Sequence, residues 1–239
     1  NYLNLSDVPA TVNKNELFLS RLSSGDGLHC LAKNDFSKIP ASPLAYWVSE
    51  GLRNTFSGTK VSERGETRVG CQTSDNNRFL RLWHEVPESK TNRTASSRDE
   101  AEATGCKWFP YNKGGNYRKW FGNGEFVVNW EQDGREVFGY ARDLYGSPTR
   151  TVKNGAYYFR PSVTWSKVSS GKPSFRYQPA GAVFDVAGAS VFFDSTPIRD
   201  LLLAQLNSVV CLTQLAAISP TLNYETSHIG ALPLPDESS

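Results

Sequence analysis

The sequence contains no methionine, not even at its first position. A chain of 239 residues without an initiator is expected to be a piece of a longer polypeptide. It also lacks paired cysteines. Cys30, Cys71, Cys106 and Cys211 lie far apart, with no C-x-x-C spacing. That pattern argues against a disulfide scaffold or a zinc site and fits a reducing cytoplasm. No run of 18 apolar residues is present, so no membrane-spanning helix is expected. The N-terminal stretch NYLNLSDVPA has neither the basic start nor the apolar core of a signal peptide.

Catalytic signatures are missing too. The sequence holds no G-x-x-x-x-G-K-[ST] loop, G-x-G-x-x-G turn, H-E-x-x-H helix or G-x-S-x-G elbow. His29, His84 and His228 stand alone, which suits structural roles. Cys71 is a conceivable nucleophile, yet spacing offers it no His or Asn partner. Asp75 and Glu85 are a conceivable acid pair with nothing placed around them. No catalytic residue, cofactor site or metal site is expected in this chain.

What is present is a hidden partition of charge. The 26 basic and 24 acidic side chains give only +2 overall. Residues 1–106 are neutral, with 13 of each sign; 107–177 carry 12 basic and 5 acidic; 178–239 carry 1 basic and 6 acidic. A +7 block between neutral and −5 flanks suggests a polyanion-binding face, or else a solvated basic surface with no partner.

With 38% hydrophobic and 21% charged residues the chain is expected to build a core. Residues 1–40 show no clean period and read as linking structure. Ser42-Pro43 reads as a helix start, followed by Leu44, Trp47, Val48, Leu52 and Phe56 at helical spacing, with Gly58 as the stop. The expected organisation is therefore a linking segment and helix over 1–58 and one domain over 59–239. In the latter, 61–86 reads as strand–turn–strand and 87–105 as a polar mobile loop. Phe126 to Trp130 reads as a strand and 131–155 as another polar excursion. Strands are expected at 156–160, 163–168, 175–177, 182–186 and 190–193. One long, buried apolar helix is expected from Pro197 to about Ile218, stopped by Pro220. Helix, many strands, helix, without a repeating βαβ unit, defines an α+β fold with a mixed, largely antiparallel sheet.

Three loops carry recognition chemistry. The turn Gln72, Thr73, Ser74, Asp75, Asn76, Asn77, Arg78 is dense in short hydrogen-bonding side chains, and such groups can pair with base edges. It also reads as a plain turn, since Asn and Asp are turn formers. From Lys107 to Trp120, cations interleave with planar rings and glycine turns. Lys107, Lys113, Arg118 and Lys119 are candidates to neutralise phosphates, or snorkelling residues on a core strand. The stretch from Thr164 through Lys167 and Ser169 to Lys172 again joins hydroxyls and cations at a hairpin. Phosphate candidates are thus Arg78, Lys107, Lys113, Arg118, Lys119, Lys167 and Lys172; base-edge candidates are Gln72, Ser74, Asn77, Asn112, Thr164 and Ser169.

The segments GCQTSDNNRFLRLWHEV (70–86), KWFPYNKGGNYRKWFGNGEFVVNWEQDG (107–134) and YYFRPSVTWSKVSSGKPSFRYQPAGAVFDVAGASVFF (157–193) meet a known pattern. With DFSKIPASPLAYWVSEGLRNTF (35–56) and the stretch from Leu206 into SPTLNYETSHIGALPLP, they resemble the C-terminal part of PglX proteins. These are the adenine-specific DNA methyltransferases of BREX phage-defence systems. The resemblance runs from about residue 35 to 235. It implies a target recognition domain for double-stranded DNA, as in fused restriction-modification enzymes. The partner methyltransferase domain of the same polypeptide, with its S-adenosylmethionine site and NPPY-type motif, would lie elsewhere; no Asn-Pro-Pro-Tyr occurs here. The resemblance further implies framing roles for Gly70, Thr73, Asn76 and Phe79, and packing roles for Leu222, Tyr224, Ile229, Leu232 and Pro233. Other BREX components are further candidate partners. Two rival readings are a protein-interaction module using the 197–218 helix and a carbohydrate-binding module using the six Trp and ten Tyr. Rings that alternate with cations favour a polyanion over a sugar.

Overall fold

The computed structural model describes residues 1–5, 8–219 and 221–234. The chain divides into two compact units, Asn1–Gly58 and Thr59–Ser239. In the first, β1 (Tyr2–Leu3) pairs antiparallel with β2 (Leu28–His29) across the intervening α1 (Lys14–Ser24). The Asn13 side chain caps α1 by accepting from the Asn15 N–H, and left-handed Gly25 ends it. Two short helices follow, α2 (Lys33–Phe36) and α3 (Glu50–Thr55). The helix expected from Ser42-Pro43 does not form there. Ala41 and Ser42 are left-handed, at φ 65° and 49°, and Ser49 is the true cap, accepting from the Leu52 N–H at 3.3 Å.

The second unit opens with α4 (Val61–Arg64), β3 (Glu66–Arg68), α5 (Asn76–Phe79) and β4 (Leu80–Leu82). It continues through α6 (Arg98–Ala103), β5 (Trp108–Asn112), β6 (Phe126–Asn129) and α7 (Glu131–Tyr145). Then come β7 (Ser162–Trp165), β8 (Phe175–Gln178), β9 (Val183–Phe184) and β10 (Ser190–Phe192). The helices α8 (Thr196–Leu206), α9 (Val209–Ile218) and α10 (Thr226–Gly230) close the order. One sheet runs β3-β10-β7-β8, antiparallel throughout; the other runs β4-β6-β5-β9, antiparallel except for the parallel β5–β9 pair. The fold is α+β.

One buried cluster lies on the second sheet, where Phe79, Phe109, Tyr111, Trp130, Tyr158, Phe159 and Phe184 are buried together; Val163, Trp165, Phe175 and Val191 of the first sheet and Leu202 and Leu206 of α8 are buried as well. Each large apolar side chain removed from water contributes about 1.5–3 kcal/mol. Edge-to-face contacts, such as Phe109 on Phe159 at 5.4 Å and Trp130 on Tyr158 at 5.3 Å, fix their mutual orientation.

Several expected loops are ordered elements. Residues 87–105 contain α6, capped by Ser97 through the Glu100 N–H, with Ala95 and Ala101 in the core. The excursion after 131 is α7, whose Val137 and Ala141 are buried. The expected strand at 156–160 is instead a tight helical turn at Gly155–Tyr157. The expected long apolar helix is two helices bent by 76°. At the break, the Asn207 side chain accepts from the Phe175 N–H and donates to the Phe175 carbonyl, mimicking a strand partner of β8. Ser208 then caps α9 through the Cys211 N–H. Pro220 lies outside the described residues. Among the described residues, no single helix is long and apolar enough to cross a membrane.

Candidate nucleic-acid interface

The 70–78 turn leaves β3 through a passage too narrow for a side chain. A Cβ on Gly70 would stand 1.8 Å from the Phe184 carbonyl oxygen, so glycine is required by contact with β9. Cys71 N–H then donates to that carbonyl at 2.8 Å, and Gln72 N–H donates to the Thr151 carbonyl at 2.9 Å. Next, Thr73 Oγ1 donates to Asn76 Oδ1 at 2.9 Å, and Asp75 caps α5 by accepting from the Arg78 N–H at 3.0 Å. Ser74, forced to φ 64°, keeps a buried hydroxyl oxygen without a hydrogen-bond partner. The turn is therefore rigid, and Phe79 anchors it in the core.

This turn forms one wall of a cleft of about 520 Å³. Gln72, Ser74 and Asn76 face Lys113 and Gly115 from the loop after β5, and Ser166 to Val168 from the loop after β7; Asp185 to Ala187 complete the lining. Three stretches distant in sequence thus supply amide, hydroxyl and ammonium groups to one hollow.

The cleft is electrostatically uneven. Asp185 is buried, accepting from Tyr111 Oη at 2.9 Å and from the Ala187 N–H at 3.0 Å. Burial raises its carboxyl pKa, opposed by those hydrogen bonds and by Lys113. Tyr111 Oη also stands 2.6 Å from the Cys71 carbonyl, so its single proton fits that acceptor when Asp185 is protonated. Behind the cleft, Arg176 is fully buried and forms no ion pair with a carboxylate among the described residues, with Glu125 acting on it only at longer range. Its guanidinium donates to Ser166 Oγ at 3.3 Å, to the Ser174 carbonyl at 3.2 Å and to the Arg118 carbonyl at 3.3 Å. Burial pulls its pKa down to about 10, which leaves it charged at neutral pH. A buried cation under the cleft adds positive potential that no surface count reveals.

Other candidates are placed elsewhere. Asn112 and Thr164 are interior: Asn112 Nδ2 donates to Thr164 Oγ1 at 2.6 Å and to the Gly188 carbonyl at 3.2 Å. Those bonds tie the two sheets together and remove both side chains from reach of a base. Lys119 Nζ donates to the Asn207 carbonyl at 2.8 Å, holding the C-terminal end of α8. Lys107 pairs with Glu131 at 3.6 Å, Arg118 with Glu125 at 3.2 Å and Lys167 with Glu225 at 3.0 Å. Exposed pairs of this kind contribute about 0–1 kcal/mol, so a phosphate can displace the acidic partner. Asn77 and Arg78 are exposed on the outer side of the turn, with the Arg78 guanidinium over the Phe79 and Tyr140 rings at 5.1 and 5.0 Å. Ser169 accepts from Gly171 N–H at 3.4 Å, and Lys172 lines a separate groove with Val209, Leu212 and Leu222.

Cys71, Asp75 and Glu85, the conceivable catalytic groups of the sequence, are placed as structural residues. Cys71 is buried, and desolvation together with Asp185 pushes its thiol far above the usual range, the opposite of a nucleophile. Asp75 and Glu85 are each spent on a local cap, Glu85 accepting from the Leu82 N–H at 2.7 Å. All four cysteines are free, and no His, Cys, Asp or Glu cluster suited to a metal occurs among the described residues.

A second hollow, of mixed charge, was not foreseen from the sequence. Three consecutive left-handed residues, Gln132, Asp133 and Gly134, start α7. Arg98 clamps them by donating from Nε to Asp133 Oδ1 at 2.8 Å, with its Nη2 on the other carboxylate oxygen. Beyond the clamp, Arg135 and Arg142 line an open hollow of about 630 Å³ with Arg98, Asp133 and Glu102. The i, i+7 spacing of Arg135 and Arg142 was the available signal.

The fold and cleft define an α+β scaffold that presents amides, hydroxyls and cations from loops distant in sequence. No protein-family model matches the chain. It is 33% identical over 243 residues, all of its own length, to the adenine-specific methyltransferase PglX of Lacticaseibacillus casei (strain Zhang). It is 36% identical over 206 residues, 84% of its length, to the adenine-specific methyltransferase BrxX of Escherichia coli O9:H4 (strain HS). The chain is a segment of a larger protein of this PglX/BrxX family, spanning 20% and 16% of those two relatives.

Proposed function

We propose that this segment recognises double-stranded DNA, as the target recognition domain of an adenine-specific, S-adenosylmethionine-dependent DNA methyltransferase in phage defence. The observation that carries the reading is the cleft, where Gln72, Ser74, Asn76, Lys113 and Lys167 converge over the buried charge of Arg176. Amides and hydroxyls can hydrogen-bond base edges, while the ammonium groups set register on phosphates. The catalytic and S-adenosylmethionine-binding residues belong, in this reading, to the remainder of a cytoplasmic polypeptide. The segment's own task is to hold the duplex while the target adenine leaves the stack, at a cost of a few kcal/mol.

The test is the salt dependence of duplex binding by the full-length protein. Lys113→Ala and Lys167→Ala should each weaken binding to all duplexes and lower the slope of log K against log[salt] by about 1. Unchanged slopes in both variants would refute the assignment of the cleft. A second reading, docking onto a protein partner, draws on the apolar groove between the 171–173 turn and α9, where Val209 and Leu222 are exposed.

A further inference from the structure

Loop 116–122, which leaves the cleft at Gly115, exposes three large aromatic rings: Tyr117 (55%), Trp120 (53%) and Phe121 (68%). Single exposed rings are common, but several on one short loop make an apolar patch of the kind that marks an interaction site. This loop is pinned. Trp120 N–H donates to the Phe175 carbonyl at 2.9 Å, and Tyr177 N–H donates back to the Trp120 carbonyl at 2.8 Å, so its backbone extends the edge of β8. Arg118 N–H donates to Ser174 Oγ at 3.2 Å, and Asn123 Nδ2 closes the base on the Asn116 carbonyl at 2.9 Å. Trp120 is held left-handed at φ 74°. Gly122, at φ 127°, leaves room for Arg118, whose Cδ would stand 2.9 Å from an added Cβ. The fold thus holds Trp120 and Phe121 outward at a cost in strain and hydration, beside a cleft of amides and cations.

We infer that Trp120 and Phe121 form a wedge that stacks into the DNA duplex and holds open the base step from which the target adenine is withdrawn. This rests on the DNA-recognition reading above. A rigid aromatic tip on a basic rim suits an unstacked base, whose π-face is apolar and whose neighbouring phosphates are anionic. The bond network is preorganised, so little entropy is lost when the rings insert.

The test uses the full-length protein and a duplex carrying the motif it methylates, with 2-aminopurine in place of the target adenine. Wild type should raise the 2-aminopurine fluorescence on binding. Phe121→Ala, at a position too exposed to upset folding, should lose most of that rise. Its affinity for the paired duplex should fall about 5- to 150-fold, the range for one aromatic–base stack. Affinity for the same duplex with an abasic site at the target position should fall far less, and Phe121→Trp should restore the signal. A full fluorescence rise with Phe121→Ala and Trp120→Ala overturns the wedge while leaving DNA recognition standing. If wild type fails to bind the duplex, the recognition reading falls and the wedge with it. If the variants bind DNA normally but expose new protease sites between this segment and the rest of the protein, the rings belong to an internal interface and the inference is overturned.

Discussion

Replacing Asn112 by Ala separates a base-reading role from a structural one. The side chain makes three interior hydrogen bonds: to Thr164 Oγ1 at 2.6 Å, to the Gly188 carbonyl at 3.2 Å and from the Gly114 N–H at 3.3 Å. Each contributes about 0.5–1.5 kcal/mol net. The Gly114 N–H is left in the interior without this acceptor, which adds a desolvation cost. The substitution should therefore destabilise the chain by roughly 2–4 kcal/mol, a large share of the roughly 5–15 kcal/mol typical of a folded domain. Urea denaturation of the 239-residue chain reads this as a lower midpoint with an unchanged slope. Among the molecules still folded, DNA sequence preference should be that of wild type. A loss below about 0.5 kcal/mol together with an altered preference would refute the structural role.

Two further substitutions follow from the same geometry. Lys119→Ala removes one charge-assisted hydrogen bond at the C-terminal end of α8; it should cost about 0.5–1 kcal/mol in denaturation and leave the salt slope of DNA binding unchanged. Burial raises the folded-state pKa of Asp185 above its ordinary 3.8, so the native state holds that proton more tightly than the unfolded chain. Its contribution to stability is present below 3.8 and is lost as pH rises through the folded-state value. Asp185→Asn can still accept from Ala187 N–H and donate to Tyr111 Oη, so its stability should be flatter with pH; a curve parallel to wild type would contradict this.

Much of the second unit was legible because its strands are bounded by strong signals. The strand from Phe126 to Asn129 and the hairpin from Ser162 to Gln178 carry β-branched and aromatic residues between glycine, proline and serine turns. Helix α7 was hidden because Gly134 and Gly139 and its charges read as a loop, although Val137 and Ala141 keep helical spacing. Helix α6 carried its own signal in Ser97 and Glu100, an S-x-x-E start obscured by the polar residues around it. The break between α8 and α9 was illegible for a different reason: Asn207 is committed to β8, a tertiary contact that no local pattern encodes. The cleft divides in the same way. Its turn chemistry at 72–76 was visible, whereas tertiary packing decided which neighbours line it, withdrawing Asn112 and Thr164 and adding the largely buried Ser166 and Asp185.

Sequence reading by this segment is tested most directly by exchange. Residues 59–239 of the full-length protein would be replaced by the corresponding stretch of a relative with a different methylation motif, and the methylome of cells carrying the chimera sequenced. The methylated motif should change to that of the segment's donor. A chimera that methylates efficiently but keeps the recipient's motif would contradict the assignment of target recognition to this chain.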